Sequence, residues 1–291
     1  MSVKQEFKHW LYTNHPGSKE RVEQFFNKSP FLRRLLRVGF TPTFRGWGMT
    51  THTHPPWSTL TNLAEVESAY LEAHQNLLRP LREGEFHLTQ FKSVDELDML
   101  SQLMWRHYLV YWSVEYAMQC SNTRVKNLVE CGTCDGLTSY YAMSAASHTG
   151  KDWGAYLYDA WEGMREDLLL ESEKGNQGEY SYLNLDVTRS NLALFGRCVQ
   201  FNKGYIPDSF GVSKNPDEIV WLHIDLNSAI PTIAALDYFW DKMAAGGVVL
   251  FDDFGWLGYE DTKNMVLQWF AGKQGMLLPL PTGQAMIFKN S

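Results

Sequence analysis

The sequence predicts an α/β protein: a Rossmann-like, mainly parallel sheet with helices on both faces, plus an N-terminal helical cap. Three observations carry this. Short apolar runs alternate with helix-like segments over the C-terminal part of the chain, the pattern of a parallel sheet covered by helices. Glycines flank the first strand-to-helix turn, Cys131-Gly132-Thr133-Cys134-Asp135-Gly136. Four apolar runs end in acids: Glu130, Asp159, Asp225 and the pair Asp252-Asp253. In open α/β sheets, ligands bind beyond the carboxyl ends of the strands. The expected division is a cap and lid over residues 1–100 and the sheet domain over 101–291.

In order along the chain, Ser18 can cap a helix carrying Val22, Phe25 and Phe26, and Pro30 suits the first turn of a second. The second turns Leu32, Leu35 and Leu36 inward and leaves Arg33, Arg34 and Arg37 as a solvated face. Thr41 to Thr59 contains Gly46, Gly48, Pro55 and Pro56, which break regular structure. Phe44, Trp47, Met49 and Trp57 are too apolar for a free linker, so the segment reads as an ordered lid over a site. Leu63, Val66, Tyr70, Leu77 and Leu81 have helical spacing. Ser93-Val94-Asp95-Glu96 is a capping box for a long helix reaching about Cys120. That helix is apolar on most sides, so it is buried or forms a subunit interface. A homodimer is the expectation drawn from it, and His107 within it reads as structural.

The sheet domain follows. Asn127 to Glu130 is the first strand, Leu137 to Ser147 a helix and Ala155 to Tyr158 the second strand. Residues 162–191 are polar and acidic, a long loop with some helix. Further strands are expected at 198–201, 219–224 and 248–251, with a helix over 233–243. A helix near 261–270 and closing strands at 276–278 and 285–288 complete the sheet.

The first turn suits a nucleoside-bearing cofactor. Gly132 and Gly136 let the backbone bend and a ligand approach closely, with Thr133 between them. The helix that follows presents unpaired amide groups. Asp159, about 20 residues on, can accept hydrogen bonds from ribose hydroxyls. A dinucleotide site wants glycine where Cys134 stands. Glu130 before the first glycine would repel a pyrophosphate but suits a cationic amino acid end, which favours S-adenosylmethionine over NAD. An ordinary βα turn is the competing reading.

Asp225, Asp252 and Asp253, from two adjacent strands, make an oxygen-rich site for a hard cation such as Mg²⁺. Bound there, the cation would lower the pKa of an acceptor hydroxyl and orient it. Turn formation, helix capping and a cofactor contact are the competing roles for these acids. A base is harder to identify. Asn227 stands where a carboxylate would serve, and an amide takes no proton near neutral pH. His54 or His52 could supply one if the lid closes; His223 lies deeper in its strand and reads as structural.

Composition narrows the partners. No apolar run approaches the ~20 residues that span a bilayer, and the polar start Met1 to Lys8 lacks a secretory signal's core. A cytoplasmic protein with no membrane partner is expected. Net charge is −7 with both signs interspersed, which argues against nucleic acid as a partner. Four cysteines fit a reducing compartment. Cys131 and Cys134 form a C-x-x-C pair, so thiol redox is a rival, and zinc another, although no second ligand pair is evident.

Five pieces in order carry a resemblance: Glu130 to Gly136, Asp159-Ala160-Trp161-Glu162-Gly163, Gly204 to Phe210, His223 to Asn227, and Gly246 to Gly255. From about Arg124 to Lys289 the chain resembles class I S-adenosylmethionine-dependent methyltransferases, and within them the macrocin O-methyltransferase family, which methylates sugar hydroxyls in natural products. The resemblance implies Gly132, Gly136 and Asp159 at the cofactor, Trp161 near its adenine or ribose, and Mg²⁺ at Asp225, Asp252 and Asp253. The chain departs from the family at Asn227, often Asp there, and at Ala229, often Tyr. The expected function is O-methyl transfer to a hydroxylated small-molecule acceptor. The alternatives are a cofactor-binding accessory protein and a metal-dependent oxygenase on the same fold.

Overall fold

A computed structural model of the chain describes residues 68–89, 100, 103–280 and 282–290. The expected lid and the helices before residue 62 lie outside them, as does the capping box at 93–96. Within them α1 spans Ser68–Glu83 and α2 Met104–Cys120. The alternating part follows as β1 Lys126–Cys131, α3 Leu137–His148, β2 Trp153–Asp159, α4 Leu185–Asn191, β3 Val199–Lys203 and β4 Ile219–Ile224. It closes with α5 Ala229–Phe239, β5 Met243–Phe251, α6 Glu260–Phe270, β6 Gly275–Pro279 and β7 Ala285–Lys289. Among the described residues no helix is long and apolar enough to cross a membrane.

The seven strands form one sheet in the order β3-β2-β1-β4-β5-β7-β6. β1 to β5 are parallel, and β7 runs antiparallel to both β5 and β6. The chain moves outward from β1 to β3, then returns to the other side of β1 with β4. That reversal opens a crevice at the carboxyl ends of β1 and β4, the usual ligand position in such sheets.

Strand alternation divides the core. On one face Leu128, Leu157, Val248 and Leu250 pack with Tyr70, Leu77 and Leu81 of α1, Val110 and Val114 of α2, and Tyr141 and Ala145 of α3. On the other, Val129, Leu222, Ile224 and Val249 pack with Leu236 and Phe239 of α5 and Val266 of α6. Each Val, Leu, Ile or Phe among them contributes about 1.5–3 kcal/mol on burial. The apolar character of α2 is explained largely within the chain. Val110, Tyr111, Val114, Ala117 and Met118 are buried, and Ser113 accepts a 2.9 Å hydrogen bond from Trp221 Nε1.

Two boundaries differ from the sequence expectation. α5 begins at Ala229 rather than near residue 233. Pro231 falls in its first turn, where a missing N–H costs no intrahelical bond. β5 begins at Met243, which the sequence assigned to the preceding helix. A register irregularity against β4 and Gly246 at φ 77° let the strand run through the glycine pair.

Candidate active site

A cavity of about 470 Å³ lies at the carboxyl ends of the parallel strands, within the range of small-molecule sites. The glycine turn lines one part, through Gly132, Thr133, Cys134 and the first-turn residues Leu137 and Thr138 of α3. Asp159, Asp225, Asp252 and Asp253 line it as well, and Leu103, Val110, Leu168 and Ile206 supply apolar wall.

The turn is built on two left-handed glycines. Gly132 has φ 90° and Gly136, the N-cap of α3, φ 86°. Gly132 donates to the Tyr158 carbonyl of β2 at 2.8 Å, and Asp225 donates to the Cys131 carbonyl at 2.9 Å. The turn is therefore wedged between the ends of β2 and β4. Cys134, left-handed at φ 51°, is clasped from both sides. Its amide donates to Asp159 Oδ2 at 2.8 Å, and its carbonyl accepts from Thr188 Oγ1 at 2.7 Å and Trp161 Nε1 at 3.1 Å. Asp159 Oδ1 accepts from the Trp161 amide at 2.7 Å. Burial raises the Asp159 pKa, and these amide hydrogen bonds oppose that rise.

Two of the cofactor candidates stand behind the cavity wall. Trp161 is 3 % exposed and supports the turn from beneath rather than facing the cavity; Phe201 lies beside it, ring centroids 6.4 Å apart. Glu130 is 1 % exposed. The β1–β4 register sets it beside His223, whose Nδ1 lies 2.9 Å from Glu130 Oε1, and Ser139 of α3 hydrogen-bonds the other oxygen. Its carboxylate thus ties α3 and β4 to β1, and it does not line the cavity. Asp135, which no sequence argument singled out, has a parallel role: it accepts from the Thr89 amide at 2.7 Å and Oγ1 at 2.8 Å, tying the segment after α1 to the turn.

The three aspartates converge as expected. One carboxylate oxygen from each lies within 4.8 Å of the others. Asp252 is buried and accepts from Gln284 Nε2 at 3.0 Å, and the Arg106 guanidinium pairs with its other oxygen. Burial raises the Asp253 pKa well above the usual carboxylate range, and Asp225 raises it further. Asp253 Oδ2 is buried without a hydrogen-bond partner among the described residues. Three hard oxygen donors, mutually repelling and with one unsatisfied, fit a divalent cation such as Mg²⁺.

Asn227 is left-handed at φ 53°, a conformation asparagine tolerates. Its Nδ2 donates to Asp225 Oδ1 at 3.2 Å, while its Oδ1 accepts from the Tyr259 hydroxyl at 2.5 Å. The amide is held as an orienting group for Asp225. Tyr259 and Tyr180 are further residues that local sequence did not flag. Burial pushes both phenols well above their usual range, and Asp225 and Asp253 push the same way, so both stay protonated donors. Tyr180 is left-handed at φ 66° and lines the cavity, an unfavourable conformation for a bulky residue. His54 and His52 lie outside the described residues.

The rival chemistries find little here. Burial pushes the Cys131 and Cys134 thiols well above their usual range, opposite to what a reactive redox pair needs. Among the described residues the aspartate trio is the group of three or more metal-ligating side chains brought together.

Comparison with known proteins points the same way. Residues 129–254 match a protein family described as a methyltransferase domain. No curated protein sequence matches the chain. Among solved structures it is similar to the O-methyltransferase NovP, at 17 % identity and TM-score 0.55, over 65 % of this chain and 81 % of that one. It is also similar to CalS11, a calicheamicin methyltransferase, at 15 % identity and TM-score 0.50, over 75 % of this chain and 91 % of that one. At such identities both likenesses are of fold.

Proposed function

We propose that this chain, whose residues 129–254 match a methyltransferase domain, is a class I S-adenosylmethionine-dependent methyltransferase that methylates a hydroxyl oxygen of a small, sugar-like or natural-product-like acceptor with the help of Mg²⁺. The observation that carries this reading is that the glycine turn and the three aspartates open onto one cavity. A methyl donor on Gly132, Thr133 and Asp159 and an acceptor at the aspartates would meet within it.

A divalent cation held by Asp225, Asp252 and Asp253 would lower the pKa of the acceptor hydroxyl. The chain's own residues supply position: Asn227 and Tyr259 orient Asp225, and the apolar wall limits water. S-adenosylmethionine held at Gly132, Thr133 and Asp159 would supply the methyl group, and its in-line transfer to an acceptor oxygen would be governed by alignment. His54 is our candidate for the group that takes the acceptor proton. The experiment is methyl transfer from labelled S-adenosylmethionine to a panel of hydroxylated small molecules, with Mg²⁺ or with EDTA. Label in an ether product, reduced by EDTA, is expected. Cofactor binding with no transfer across the panel would favour the accessory-protein reading instead.

A further inference from the structure

We infer that Arg106 is a tethered counter-cation for the Asp225–Asp252–Asp253 cluster, competing with a divalent cation for Asp252 and setting how tightly the cluster holds one. The inference rests on the reading of that cluster as a cation site. Arg106 belongs to α2, outside the residues that match the methyltransferase domain. Its guanidinium pairs with the Asp252 carboxylate, and the two side chains are 19 % and 9 % exposed. It also lies over the Trp256 ring, 5.4 Å from the centroid, a favourable cation–π placement. Its place in the first turn of α2 is unfavourable by itself, because the helix dipole disfavours a cation there. Asp252 and Trp256 therefore hold it in place.

With Arg106 seated, both oxygens of Asp252 are engaged, one by the guanidinium and one by Gln284. A metal ion would need lone pairs of the same carboxylate, and two cations drawn to one carboxylate repel each other. The site thus has two occupancies. In one, Arg106 partly neutralises the cluster and the protein stands without an ion. In the other, the ion takes all three carboxylates and the guanidinium moves off Asp252. A competitor fixed to the same chain acts at high effective concentration, so the ion binds more weakly than three carboxylates alone would hold it.

The test is calorimetric titration of Mg²⁺ into the full chain as wild type, Arg106→Gln and Arg106→Lys, with Tm measured in EDTA and in saturating Mg²⁺. Arg106→Gln should bind Mg²⁺ at least about tenfold more tightly, melt below wild type in EDTA, and gain more from Mg²⁺. Arg106→Lys keeps the charge but loses the forked donor, and its affinity should fall between the two. Should Arg106→Gln not fold, Arg106→Lys carries the test. Mg²⁺ binding by wild type with equal or weaker binding by the folded variant overturns the inference and leaves the cation site standing. No Mg²⁺ binding by any of the proteins overturns the cation site and the inference with it.

Discussion

Replacing Gly132 with alanine is expected to destabilise the protein by at least about 4 kcal/mol, lowering Tm by roughly 10 °C or more, and to abolish cofactor binding. The cause is geometric. Gly132 adopts φ 90°, and a Cβ there would land on the backbone carbonyl of Asp225. That carbonyl cannot give way, because Asp225 is hydrogen-bonded through its amide to Cys131, the residue before the glycine. The variant must push β4 away from β1 at the point where the cavity opens. Gly150→Ala separates this clash from the cost of a left-handed alanine. Gly150 also has positive φ, 66°, but a Cβ there meets nothing within 4 Å. It should lose only about 1 kcal/mol and bind cofactor normally. Thermal melts of the two variants beside wild type check the contrast.

Asp225→Asn should lower Mg²⁺-dependent methyl transfer at least about a hundredfold, equivalent to about 2.7 kcal/mol of barrier, and weaken Mg²⁺ binding in parallel. The same substitution should raise Tm in EDTA. Asp225 and Asp253 repel, which is one cause of the raised Asp253 pKa, and an amide at position 225 relieves that repulsion. A residue kept for stability would not behave so: function falls while the ion-free protein becomes more stable, the trade-off expected where like charges are gathered for a task. Activity with a fixed acceptor and melts in EDTA, measured on one preparation, check both signs.

Much of this site was legible in the sequence because its parts lie at strand ends. An apolar run that stops at an acid locates both the strand and the carboxylate, as at Asp159, Asp225, Asp252 and Asp253. The glycine turn was legible for the same reason: Gly132 and Gly136 meet backbone demands that are local. What stayed hidden depends on contacts between distant segments. Glu130 looks like the other strand-end acids, yet the β1–β4 register puts it beside His223 and under Ser139. Arg106 and Gln284 reach Asp252 from α2 and the loop before β7, and Tyr259 reaches Asn227 from the turn before α6; nothing in their immediate sequence marks them. The sequence also read Asn227 only as a missing base. Its amide is held between Tyr259 and Asp225, a role visible only once the turn before α6 folds back over β4.

The most direct measurement is calorimetric titration of S-adenosylhomocysteine into the full chain, as wild type and as Asp159→Ala. Asp159 lines the cavity and holds the Cys134 and Trp161 amides, so its removal disturbs both the binding wall and the turn. One site per chain with a dissociation constant of about micromolar, or −8.2 kcal/mol, is predicted for the wild type, with binding lost in Asp159→Ala. A wild type that binds no S-adenosylhomocysteine, with or without Mg²⁺, would contradict the assignment of this cavity to S-adenosylmethionine chemistry.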